Sequence, residues 1–131
     1  EQLYREFKDK AAFFVVYIRE AHPIDGRIAP ENQRQGIEIE SAKSEEDRKE
    51  VAKTCGKELK LSMPFLLDDM KDTAGLAYDG WPDRLFVIDL EGRIAYRGAP
   101  GPKGFKVDEA DAALRKLLDA AKEPEEEPEE E

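Results

Sequence analysis

Ala11-Ala12-Phe13-Phe14-Val15-Val16-Tyr17-Ile18 is the longest apolar run in the chain. From residue 13 to residue 18 it is aromatic and β-branched, with no alternation of apolar and polar positions. Such a run predicts a short strand covered on both faces, as in a parallel sheet with helices on each side. It is far below the roughly 20 apolar residues a membrane helix needs, so no membrane span is expected.

Working outward, Leu3, Tyr4 and Phe7 fall at helical spacing among charged residues, so residues 1–10 read as the end of an amphipathic helix. Residues 19–43 contain Pro23, Gly26, Pro30 and Gly36 without a clear period and read as a long loop, a kind that is often functional. Ser44-Glu45-Glu46-Asp47 resembles a capping box with Asp in place of Glu. It opens a helix whose apolar stripe is Val51, Ala52, Cys55 and Leu59. Pro64 and Phe65-Leu66-Leu67 give a second buried strand, and Asp72 is the expected cap of a short helix through Tyr78.

Residues 84–89 and 93–97 read as two more strands. Leu90-Glu91-Gly92 joins them in a turn, with Gly92 where positive φ is needed, so they form an antiparallel hairpin. The Gly- and Pro-rich residues 98–104 fit neither a helix nor a ladder. Asp108 is the expected cap of a last helix, with Ala112, Leu114, Leu117, Leu118 and Ala121 facing the core.

A helix that runs into a buried parallel strand implies a crossover, which needs a strand before the helix. None precedes residue 1 here. The expected fold class is therefore α/β: a thioredoxin-like three-layer α/β/α sandwich. Its mixed sheet ends in a β-hairpin and a C-terminal helix, and its first central strand is missing. That strand would lie between residues 13–18 and 84–89. The expected division is a domain over residues 1–122, incomplete at its N-terminus, and a tail over residues 123–131.

The chain has 131 residues, the size of one domain, and a formal net charge of −10. The last nine residues hold seven Glu and two Pro; the remainder carries 24 acids against 21 bases. The acidity thus belongs to the tail, which reads as a disordered, solvated extension. No basic patch is interleaved with aromatic residues, which argues against nucleic acid as a partner. Cys55 is the single cysteine, so no intrachain disulfide is available.

His22 is the only histidine and follows the first strand, at the end where α/β sites are built. Glu20 lies two residues earlier, so both side chains share a side if the strand continues. A Glu–His pair can relay a proton near neutral pH; the plainer reading is a surface histidine with a helper carboxylate. Trp81-Pro82-Asp83 stands where thioredoxin-like domains carry a proline, usually cis, facing the nucleophile; an ordinary turn proline is the alternative. Cys55 sits mid-helix on an apolar stripe and reads as a small buried hydrophobe, with nothing to lower its pKa. Asp68-Asp69 reads as a solvated turn, and no metal or cofactor is expected.

Tyr17-Ile18-Arg19-Glu20-Ala21-His22-Pro23-Ile24-Asp25-Gly26 resembles the Y-I-x-E-A-H-P-x-D-G stretch of iodothyronine deiodinases and their bacterial relatives. Asp68-Asp69-Met70 and Tyr78-Asp79-Gly80-Trp81-Pro82-Asp83-Arg84-Leu85-Phe86-Val87-Ile88 resemble the same family. So do Gly92-Arg93-Ile94-Ala95-Tyr96-Arg97-Gly98 and Gly101-Pro102-Lys103-Gly104-Phe105. The similarity runs from about residue 1 to residue 118. It implies a thioredoxin-fold oxidoreductase in which a selenocysteine or cysteine strips iodine from an aromatic ring at the expense of thiols. It assigns Glu20 and His22 proton delivery or substrate binding, and makes Trp81 and Pro82 walls of the same pocket. A thiol reductant and a small-molecule substrate are the partners it implies.

The chain departs from the pattern in three places. The nucleophile motif before the first helix is absent, Ala42 stands where the animal enzymes have a second histidine, and Met63 stands where some members have a cysteine. The departures suggest a bacterial-type relative that reduces peroxides, disulfides or halogenated aromatics, and a fragment that is inactive alone. The other reading is a non-catalytic thioredoxin-like binding module of a larger protein.

Overall fold

A computed structural model describes residues 1–20 and 42–122. The expectations for His22, for most of the long loop and for the acidic tail lie outside the described residues. The elements are α1 (Gln2–Phe7), β1 (Val15–Tyr17), α2 (Glu45–Glu58), β2 (Phe65–Leu67), α3 (Thr73–Ala77), β3 (Phe86–Ile88), β4 (Ile94–Arg97) and α4 (Val107–Ala120). This is a mixed α/β architecture with small sheets, divided into two compact units, Glu1–Asp83 and Arg84–Glu131.

In the first unit β1 and β2 are parallel, with Val15 beside Phe65, Val16 beside Leu66 and Tyr17 beside Leu67. Parallel neighbours need a crossover, and α2 lies within it. The predicted cap forms: Ser44 Oγ accepts from the Asp47 amide at 3.1 Å. Asp47 does not close the box on Ser44; its carboxylate accepts from the Lys43 amide at 3.3 Å, one residue further out. Three acids in the first turn of α2 complement the helix dipole.

α2 buries Ala52 and half-buries Val51 and Cys55, whereas Leu59, the helix C-cap, is exposed. The Phe65 ring fits against Gly56, where a Cβ would stand 3.3 Å from it. That contact puts α2 on the Phe65 face of the sheet. Side chains alternate across a strand, so Val16 and Leu66 point the other way and are 46% and 48% exposed. The expectation of a strand covered on both faces is therefore corrected: among the described residues of this unit, β1 is covered on one face. Phe7 of α1 is buried, and Tyr4 meets Phe13 edge to face, with centroids 5.6 Å apart.

In the second unit β3 and β4 form the predicted antiparallel hairpin, pairing Phe86 with Arg97, Val87 with Tyr96 and Ile88 with Ile94. A bulge between Val87 and Ile88 breaks the register. In the turn, Asp89 Oδ1 accepts from the amides of Glu91 and Arg93, each at 2.9 Å, and Gly92 takes φ +81°. α4 packs on both strands and buries Ala110 and Leu114. Two expectations fail here. Lys106 is the N-cap of α4, with Asp108 inside the first turn beside Glu109, where both favour the dipole without capping. Ala112 and Ala121 are exposed, because the buried face runs through positions 110, 114, 117 and 118, a 3.6-residue step.

Candidate functional site

Glu20 stands just past β1, and both of its oxygens are held. Tyr17 Oη donates to Oε1 at 3.2 Å, and the Ala42 amide donates to Oε2 at 3.3 Å. Ala42 thus contributes to the anchoring of Glu20 through its backbone. A carboxylate fixed at both oxygens keeps one orientation, which a proton relay or a substrate contact needs. His22, its sequence partner, lies outside the described residues.

The Tyr17 hydroxyl also faces Cys55 of α2. Burial, then the neighbouring Cys55 and Glu20, push the tyrosine pKa well above its ordinary range. Burial likewise pushes the Cys55 thiol up; a hydrogen bond from Tyr17 works against that and the Glu20 charge adds to it. A thiol raised in this way is a poor nucleophile near neutral pH, in keeping with its reading as a small half-buried hydrophobe.

Trp81 and Pro82 form the other part of the candidate site, joined by a cis peptide bond. A second cis bond, Gly101–Pro102, lies in the second unit, where none was expected. Trp81 is exposed, and the Arg19 guanidinium lies over its ring with Cζ 4.9 Å from the centroid. Arg19 precedes Glu20, so the two parts of the site meet through adjacent residues of one segment. Ile18 fills the space beside Gly75 and Gly80, where a Cβ would come within 3.6 and 3.7 Å of its side chain.

The turn after β2 sets α3, and here the sequence reading is corrected. Asp72 was the expected cap, but it sits at φ +59° and makes no capping hydrogen bond from its side chain. Asp68 does the work instead, accepting from the amides of Ala74 and Gly75, each at 2.8 Å, and from Asp69 at 2.9 Å. Asp69 accepts from the Thr73 amide and hydroxyl, which hold its carboxyl below the usual range. Asp68 is 5% exposed while Asp69 is exposed, so the solvated reading holds for the second aspartate and not for the first.

Sequence reasoning missed Arg48, which is buried. Its Nη1 donates to the carbonyls of Asp68 at 3.2 Å and Asp69 at 2.6 Å, and Nη2 reaches Asp72 Oδ1 at 3.4 Å. A signal was present: Arg48, Ala52, Cys55 and Leu59 step by four, three and four residues, so Arg48 falls on the apolar stripe. Among the described residues, no group of three or more His, Cys, Asp or Glu side chains is arranged to hold a metal ion. No described helix is long and apolar enough to cross a membrane.

A family model, that of iodothyronine deiodinase, matches residues 1–118. The chain belongs to the iodothyronine deiodinase family. It is 35% identical to the type I iodothyronine deiodinase of Xenopus laevis over 115 residues, 88% of this chain and 43% of that protein. Thyroxine 5-deiodinase of Gallus gallus is 34% identical over 121 residues, 92% of this chain and 43% of its own. Type II iodothyronine deiodinase of Rattus norvegicus is 32% identical over 117 residues, 88% of this chain and 44% of its own. The chain therefore spans less than half the length of these deiodinases. All three are vertebrate proteins and give no support to the bacterial-type affiliation expected from the sequence.

Proposed function

We propose that these residues form the larger part of a thioredoxin-like domain of a thiol-dependent reductive dehalogenase acting on an iodothyronine or a related halogenated aromatic. In that chemistry a thiolate or selenolate attacks the iodine of an aryl C–I bond. The ring keeps the bonding pair and takes up a proton, and the nucleophile is left carrying iodine. A second thiol then displaces iodide, forming a disulfide or selenenyl sulfide, so two thiol equivalents are oxidised while C–I becomes C–H. Glu20 and His22 deliver the proton, and Trp81 and Pro82 wall the substrate.

The observation that carries this reading is the Glu20 carboxylate, anchored by Tyr17 Oη and the Ala42 amide at the end of β1. The membership of residues 1–118 in the deiodinase family supports it. In the same reading the nucleophile is a thiol or selenol other than Cys55. Cys55 does not replace the nucleophile, because its thiol is mid-helix and pushed up.

The test uses the full-length protein with dithiothreitol and an iodinated thyronine. Glu20→Gln and His22→Ala lower kcat by about 100-fold, the usual contribution of a positioned acid or base, with thermal melting unchanged. Normal turnover in both variants sinks the reading. The state of Cys55 favours one alternative, a non-catalytic thioredoxin-like binding module, which predicts no turnover in the full-length protein with any thiol.

A further inference from the structure

Arg19 differs from the other arginines with described partners. Arg5, Arg93 and Arg115 are exposed and paired with Glu1, Glu91 and Asp111 at 2.8, 3.5 and 2.7 Å. Arg48 is buried and donates to two carbonyls and Asp72. Arg19 instead lies over an indole, and among the described residues no carboxylate stands within ion-pair distance of it. Its neighbour Glu20 has both oxygens engaged elsewhere. Trp81, beneath the guanidinium, is 44% exposed, so the pair presents a cation and an aromatic surface together to solvent.

We infer that Arg19 is a specificity-determining residue of this site: held against Trp81, it takes the carboxylate of a small aromatic acid whose ring lies along the exposed indole. The inference rests on the proposed reading of Glu20, Trp81 and Pro82 as the substrate site. The cation–π attraction holds the guanidinium over the ring and uses none of its N–H groups, which stay available to an acceptor. An edge of parallel donors matches the two oxygens of a carboxylate, and a pre-oriented fork loses less conformational freedom on binding than a mobile one. The half-open indole adds the apolar contact that an aryl ring needs.

Trp81 is the single tryptophan of this sequence, so the part of the full-length protein's fluorescence change that is lost in Trp81→Phe reports on this surface. The probes are 4-phenoxyphenylacetate and its neutral amide, which differ only in charge. The acid binds wild type about fivefold more tightly than the amide, the scale of one partly exposed, well-oriented ion pair. Arg19→Gln removes that difference and leaves the amide affinity unchanged, while Arg19→Lys, which keeps charge but loses the fork, retains part of it. Equal binding of the two probes to wild type, no binding of the acid, or a difference that persists in Arg19→Gln would each overturn the inference. The turnover of Glu20→Gln separates the two ideas. If that variant is inactive and the probes bind alike, only the role of Arg19 falls. If Glu20→Gln and His22→Ala both turn over normally, the site reading itself falls.

Discussion

Arg48 Nη1 donates to the carbonyl oxygen of Asp69 across 2.6 Å. With the bonds to Asp68 and Asp72, this ties α2 to the turn that launches α3. Arg48→Met keeps much of the apolar stem but leaves two carbonyls without their donor. The expected loss is about 2 kcal/mol, from unmet buried acceptors rather than lost packing. Urea denaturation checks it: the midpoint falls while the slope is unchanged.

Asp68 and Asp72 are expected to separate sharply. Asp68→Ala strips the acceptor from the Ala74 and Gly75 amides at the start of α3 and costs about 2 kcal/mol. Asp72→Gly loses only a long contact to Arg48 but suits the left-handed backbone, and stays within about 1 kcal/mol of wild type. Thermal melts of the two variants decide which aspartate holds the turn.

These two aspartates also mark where the sequence stopped being readable. Both precede Thr73 and both are good caps, so local chemistry could not choose between them. A contact twenty residues away chose: Arg48 fixes the turn so that Asp68 points at the α3 amides. Features settled within a few residues were legible, among them the Ser44 cap, the Phe65–Leu67 strand and the positive φ of Gly92. Of the site, Glu20 was legible as a candidate, but its anchoring by Ala42 was not, because that bond spans 22 residues. The exposed Val16 and Leu66 were missed because a continuous apolar run cannot say which face a neighbour covers.

Two glycines of the second unit are expected to resist substitution for different reasons. A Cβ at Gly104 would stand 2.5 Å from the backbone of Ala99, so Gly104→Ala forces the loop apart and costs about 3 kcal/mol or more. Gly92 has open space around it but a φ of +81°, so Gly92→Ala costs about 1 kcal/mol and Gly92→Asn less. Chemical denaturation of the three variants checks the order.

Cys55 and Tyr17 make a prediction about alkaline pH. Burial raises both, so the folded protein favours their protonated forms. The stability this brings is intact below the ordinary values of 9.0 for the thiol and 10.0 for the phenol, and is lost as pH climbs past them. Iodoacetamide at pH 8 should label Cys55 more slowly than a free thiol, and Glu20→Gln should speed the labelling, since it removes a charge that opposes the thiolate. Labelling at the free-thiol rate would show that the environment described for Cys55 is wrong.

Asp89 builds the hairpin turn from its own neighbours, taking the Glu91 and Arg93 amides on a single oxygen, while Leu90 at the tip is fully exposed. The turn therefore draws nothing from the Leu90 side chain. A spectroscopic label or a short inserted peptide at that position would report on the hairpin without disturbing it, and natural sequence drift should be absorbed most readily there.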